Sequence, residues 1–244
     1  MFSFVVGLAL ITVGTSAWPL GNKCNPCEDF CPKYLQSAGV GDLSCPISPS
    51  DKNYCKGVNQ TDDPSVYLCG NYRLGPVTLP TMIPVSNLVI TYDRFGGLCP
   101  AEFLENWTKN GSYQYPDQTR GYVADVHCKP IRGEVRLQNG TLLDRFGGET
   151  GNFLSPKGAP YVERALPPSS LDVDRNDPKD YPNGYHVYEV VKEFNVLEGP
   201  IAAWFGQPGG GSQYELLPLP LGAKNSVALL LGNTTGGPFL KKLV

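Results

Sequence analysis

Histidine is almost missing from this chain: only His127 and His186 occur in 244 residues. No His-x-x-x-His pair can be formed from them, and no Gly-x-Ser-x-Gly elbow accompanies them. Acidic calcium loops, phosphate-binding P-loops and helix-opening Gly-x-Gly-x-x-Gly fingerprints are lacking as well. Metal-assisted chemistry and the common nucleotide-binding motifs are therefore set aside. Charged residues make up only 18% and the net charge is −3, which argues against a general nucleic-acid binder. Beyond the N-terminus no apolar run reaches the ~18 residues a membrane-spanning helix needs, so no membrane span is expected. Long helical periods are also scarce. With Gly at 28 and Pro at 23, the composition favours a turn-rich, strand-rich α+β globule over a helical bundle.

The first seventeen residues, Met1 to Ala17, are apolar and uncharged and end in Thr15-Ser16-Ala17. This reads as a signal peptide cleaved after Ala17, its weak feature being an n-region charged only at the amine. Eight cysteines follow: Cys24, Cys27, Cys31, Cys45, Cys55, Cys69, Cys99 and Cys128. The first three have metal-ligand spacing, and zinc is the rival reading. An even count in an exported chain favours four disulfides, with the pairing left open. Sequons at Asn59, Asn106, Asn110, Asn139 and Asn233 point to a glycosylated, secreted or cell-surface protein with those asparagines in exposed turns.

Residues 18–85 read as a small Cys-rich module, or as an extension stapled to the core, and 86–244 as the main domain. Val85 to Tyr92 has the look of a strand, and Pro100 to Trp107 that of a helix opened by proline. Glu134–Leu137 and Thr141–Leu143 flank an Asn-Gly turn and read as a hairpin. Tyr161 to Pro168 reads as a short strand or turn, 169–184 as a loop, and Tyr185 to Val191 as an alternating strand. Val227 to Leu231 is strand-like.

Between Asp144 and Pro156 one stretch gathers Arg145, Phe146, Gly147, Gly148, Glu149, Gly151 and Phe153. Glycines allow close backbone approach, phenylalanines offer flat faces, and arginine offers a fork suited to phosphate. A plain Gly-rich turn with two core rings is the competing reading. Asp-Arg-Phe-Gly-Gly occurs at 93 and again at 144, which reads as coincidence or a reused turn, not a solenoid. Downstream, Arg164 and a Gly209-Gly210-Gly211 turn leading to Gln213 complete a set suited to a ligand with phosphates and flat rings.

The stretch Asp144 to Pro156, together with Glu163-Arg164-Ala165-Leu166-Pro167-Pro168, Tyr188-Glu189-Val190 and Trp204 to Tyr214, resembles the tuberculosis necrotizing toxin domain. The likeness is greatest to its secreted fungal relatives, the surface NAD glycohydrolases, and spans about 86–244. It implies a toxin-like mixed core behind a Cys-rich N-terminal part, and hydrolysis of NAD⁺ and NADP⁺ to nicotinamide and ADP-ribose without a cofactor. It also implies that Phe146 and Phe153 flank the nicotinamide end with Arg145 beside them. Arg164 would contact phosphates or the reacting ribose, so that two arginines neutralise the pyrophosphate. Gln213 would complete the catalytic set, with Gln207 as runner-up. Glu149 is the available carboxylate, with a structural role in the turn equally open. Fungal members form homodimers, which this sequence by itself neither supports nor opposes. Some bind calcium near the C-terminus; residues 216–244 hold no Asp or Glu, so no such site is expected there. ADP-ribosyl transfer or cyclisation is the nearest enzymatic alternative, and a non-catalytic surface glycoprotein the alternative of another class.

Overall fold

A computed structural model of the chain describes residues 53–172, 184–217, 225–232 and 237–244. The expected signal peptide, Cys24, Cys27, Cys31, Cys45 and the Asn233 sequon lie outside the described residues. The architecture is α+β and dominated by strands, as composition indicated. Seven strands form one antiparallel sheet: β3 (Gly133–Leu137), β4 (Leu142–Phe146), β5 (Phe153–Pro156), β6 (Tyr185–Val190), β7 (Phe194–Pro200), β8 (Ser212–Leu216) and β9 (Leu240–Lys242). Their order is β3-β7-β8-β5-β4-β6-β9. A two-stranded ribbon, β1 (Thr108–Lys109) with β2 (Ser112–Tyr113), stands apart.

Both faces of the sheet are covered. On one, Leu143, Leu154, Tyr188, Val190, Val196 and Leu216 pack with Val227 and Leu230 of a short helix. On the other, Phe146, Tyr185 and Val187 meet Val85, Leu88, Tyr92, Tyr161 and Leu171. A third cluster joins Leu68 and Leu74 to Phe103, Trp107, Ile201, Trp204 and Phe205. Residues from the Cys-rich region and the main domain thus share one core.

Four local expectations are corrected. Val85–Leu88 is a helix (α1), not a strand, because Val85 and Leu88, three apart, face the core together. Val227–Leu231 is likewise helical (α3); the Ser226 side chain caps it by accepting from Leu229 N–H, a start signal directly before the apolar run. The Asn139-Gly140 turn exists, but its flanking strands do not pair. β3 lies against β7, while β4 sits between β5 and β6. Leu143 and Asp144 are both 0% exposed, so β4 needs partners and cover on every side, which an isolated hairpin cannot supply. Finally, Asn106 is buried on the helix Pro100–Trp107 (α2) and is not in an exposed turn, whereas Asn59, Asn110 and Asn139 are exposed. α2 itself forms as expected, with Pro100 in its first turn and the Glu102 carboxylate accepting from Cys99 N–H.

Cys55 and Cys69 are joined, and Cys99 and Cys128 are also in disulfides. The Cys55–Cys69 loop spans 14 residues, so replacing both cysteines by serine should lower stability by ~3 kcal/mol through added freedom of the unfolded chain. Urea denaturation of the variant should show a lower midpoint at an unchanged activity per folded molecule. No helix among the described residues is long and apolar enough to cross a membrane.

Candidate active site

Strand register gathers the candidate residues. Asp144 faces Ser155 across β4–β5, Phe153 faces Glu215 across β5–β8, and Gly199 faces Gln213 across β7–β8. Alternation then puts Asp144, Phe146, Phe153, Ser155, Gln213 and Glu215 on one face of the sheet. A cavity of about 50 Å³ lies there, lined by Asp144, Arg145, Phe146, Phe153, Ser155, Arg164 and Gln213 with Leu154, Leu166 and Ile201. Residues from four separated stretches of chain therefore converge on one hollow.

Arg164 ends a 3₁₀ turn, Tyr161–Arg164, whose carboxyl end is closed by Ala165 in the left-handed region (φ 47°). Its side chain is only 3% exposed, and the guanidinium lies 5.2 Å from the centre of the Phe146 ring. Nη1 sits 2.6 Å from Asp144 Oδ1, Nη2 donates to Asp144 Oδ2 and Ala159 O, and Nε donates to Ala159 O. A guanidinium has five N–H groups, so one Nη1 hydrogen is left to reach a ligand. Asp144 is held in turn by Gly158 N–H and by the Tyr185 hydroxyl, each donating to Oδ2. The result is a buried, charge-balanced pair at the base of the hollow. Asp144 was not among the expected site residues; its signal was an acid that follows Leu142-Leu143 within a short strand.

Arg145 borders the hollow, but alternation sends its side chain to the opposite face from Phe146. Nε donates to Gly148 O and Nη1 to Phe153 O, so the guanidinium ties the Gly-rich loop to the start of β5. Burial holds its pKa below the usual arginine value, with Tyr188 and Glu149 opposing that shift. Both arginines of the expected phosphate-neutralising pair, Arg145 and Arg164, have partners within the chain. One is engaged by backbone carbonyls, and the other is paired with Asp144.

A side chain at Gly151 would place its Cβ 1.9 Å from Arg145 Nη2. Gly151→Ala should expel the guanidinium, leave Gly148 O and Phe153 O without their donor, and destabilise by ~1–3 kcal/mol. Activity should fall with stability, because Phe153 shifts; a thermal melt alongside an activity assay checks both.

The two glutamines separate clearly. Gln213 lines the hollow and its Nε2 donates to Arg120 O. Gln207 is 3% exposed, and its Nε2 donates to Asp93 O at 2.6 Å, pinning the Trp204–Gln207 turn to the first Asp-Arg-Phe-Gly-Gly copy. Glu149 accepts from the Tyr188 hydroxyl and pairs with Lys242 Nζ, a structural arrangement outside the hollow's lining.

Sequence reasoning also missed Arg120, Arg132 and Glu215. Glu215 is 8% exposed and accepts from Arg120 Nε and Nη2 through Oε1 and from Arg132 Nη1 through Oε2. The Arg120 guanidinium lies 5.1 Å from the centre of the Phe153 ring. No motif marks these three; the segment 120–132 reaches the site only because it is laid along the end of β7, with Val123 N–H donating to Pro200 O and Ala202 N–H to Gly121 O.

A strand-rich sheet thus carries an arginine, two phenylalanines and a glutamine around one hollow, the set that the motifs singled out. The family model described as tuberculosis necrotizing toxin matches residues 136–235. The conidial surface nicotinamide adenine dinucleotide glycohydrolase nadA of Aspergillus fumigatus is 51% identical over 164 residues, 66% of this chain and 68% of that protein. Among solved structures, tuberculosis necrotizing toxin complexed with its immunity factor IFT gives a TM-score of 0.42 at 19% identity, covering 78% of this chain and 96% of that one. Tse6 in complex with Tsi6 gives 0.26 at 20% identity, covering 36% and 72%. The chain belongs to the fungal branch of the tuberculosis necrotizing toxin domain family.

Proposed function

We propose that this protein is an NAD⁺ glycohydrolase, displayed outside the cell, that hydrolyses the N-glycosidic bond of NAD⁺ and NADP⁺ to nicotinamide and the ADP-ribose product. The observation that carries the reading is the convergence of Phe146, Phe153, Arg164 and Gln213 on one hollow of a chain 51% identical to a named NAD glycohydrolase. Cleavage of the C1′–N bond turns a cationic pyridinium into neutral nicotinamide and leaves positive charge on the ribose. A lone guanidinium beside that charge would oppose the reaction. Pairing with Asp144 cancels the charge of Arg164 while keeping one directed N–H for the ribose or the carboxamide.

Phe146 and Phe153 supply flat apolar walls that hold the ring and limit stray water. Gln213, anchored by Arg120 O, presents its carbonyl oxygen to orient a ribose hydroxyl or the attacking water. The gain lies in positioning and pre-set dipoles, with no strong nucleophile needed. The chemistry calls for no metal or cofactor. Exposed sequons at Asn59, Asn110 and Asn139 and the surface location in the relative's name support a secreted, surface-displayed glycoprotein, and homodimerisation accompanies the reading by kinship. Incubating the purified protein with NAD⁺ should release nicotinamide and ADP-ribose in equal amounts. Absence of nicotinamide release would overturn the reading, and cyclic or transferred products would replace hydrolysis by a related transfer.

A further inference from the structure

We infer that Arg120 and Arg132, together with the carboxylate they share, form a diphosphate-binding subsite at the rim of the hollow. The inference rests on the NAD⁺ reading and relocates the phosphate-reading function away from Arg145 and Arg164. Those two guanidiniums are engaged: one holds Gly148 O and Phe153 O, and the other is charge-balanced by Asp144. A dinucleotide still brings two negative phosphates next to the ribose, and these need donors within reach of the same ring.

Arg120 and Arg132 meet that need. Both touch Glu215, so two cations share one carboxylate and leave an excess positive charge on the rim. Their side chains are 45% and 27% exposed, unlike the 3% of Arg164, so a ligand can approach them. Arg120 uses Nε and one Nη2 hydrogen on Glu215, and Arg132 uses one Nη1 hydrogen. Arg132 also contacts the Tyr122 hydroxyl, yet the forks keep further N–H groups, the Arg120 Nη1 hydrogens among them, for the oxygens of a tetrahedral phosphate. Continuity with the hollow is direct. The Arg120 guanidinium lies over Phe153, and its carbonyl accepts from Gln213. The Arg132 guanidinium lies 5.3 Å from the centre of the Tyr122 ring, which is fully buried. Glu215 fixes both forks before substrate arrives, which lowers the ordering cost of binding. Arg120 holds a left-handed backbone (φ 58°), a conformation uncommon for a non-glycine residue and one that places its carbonyl toward Gln213.

Arg132 gives the cleaner test, because Arg120 keeps its two bonds to Glu215 when Arg132 is removed. Arg132→Met should raise the KM for NAD⁺ about tenfold or more, in line with loss of charge-assisted hydrogen bonds, while kcat changes less than about threefold. Competitive inhibition by inorganic diphosphate should weaken by a similar factor, and Arg132→Lys should fall between the parent and Arg132→Met. A KM and a diphosphate inhibition constant both unchanged would overturn the inference. So would a fall in kcat at constant KM, which marks Arg132 as a support of Phe153 or Gln213 instead. A parent protein without nicotinamide release would instead defeat the NAD⁺ reading itself, a result distinct from either.

Discussion

Arg164→Ala should abolish turnover to less than about one hundredth of the parent and also cost ~3–5 kcal/mol of stability. Two separate effects combine there. Asp144 is 0% exposed, and removing its partner leaves a buried carboxylate with only Gly158 N–H and the Tyr185 hydroxyl to offset its charge. The guanidinium that lines the hollow disappears as well, and with it the Nη1 hydrogen proposed to meet the ligand. The double variant Arg164→Met with Asp144→Asn separates these effects. It removes both charges yet keeps an acceptor for Gly158 and Tyr185, so most of the lost stability should return while activity stays absent. Chemical denaturation measured beside nicotinamide release decides. If the double variant recovered activity along with stability, Arg164 would be a scaffold residue only.

Gln213→Ala should lower kcat/KM about 10²- to 10³-fold, the range typical of losing one aligned dipole in an active site, with almost no change in melting temperature. Gln213 is only partly buried, and its ties are the bond to Arg120 O and a contact with the Tyr122 hydroxyl, so little packing depends on it. Gln207→Ala should do the reverse. Its amide is buried and donates to Asp93 O, so its loss should destabilise by ~1–3 kcal/mol and leave kcat of the folded fraction near the parent value. Measuring both variants by thermal melt and initial rate tests the assignment. Equal losses of rate in the two would show that the loop 204–213 acts as one unit and that the assignment of Gln213 is wrong.

The two copies of Asp-Arg-Phe-Gly-Gly show how far residue identity reaches. At 144 the motif is strand β4 and the turn after it: Asp144 binds Arg164, and Phe146 walls the hollow. At 93 the same five residues form a turn in which the Asp93 carboxylate accepts from Phe95 N–H, while Arg94 donates to Leu74 O and Pro76 O. Gly96 there lies against Gly206, where a side chain would meet Gly206 backbone at 2.7 Å. One pentapeptide thus does two unrelated jobs, decided by its neighbours in space.

Composition alone determined a strand-rich, disulfide-bearing globule, since few charges, many glycines and prolines and an even cysteine count favour that class over a helical bundle. Local order determined α2, β6 and the Gly-rich stretch carrying Phe146 and Phe153, because period, proline placement and glycine spacing act within a few residues. Tertiary structure alone decided that Asp144 balances Arg164, that Arg145 turns to the far face, and that Glu215 gathers Arg120 and Arg132. Those pairings join residues 20 to 95 positions apart. Charge balance and strand register across such distances depend on which segments become neighbours, a property of the folded sheet that no short window of sequence contains.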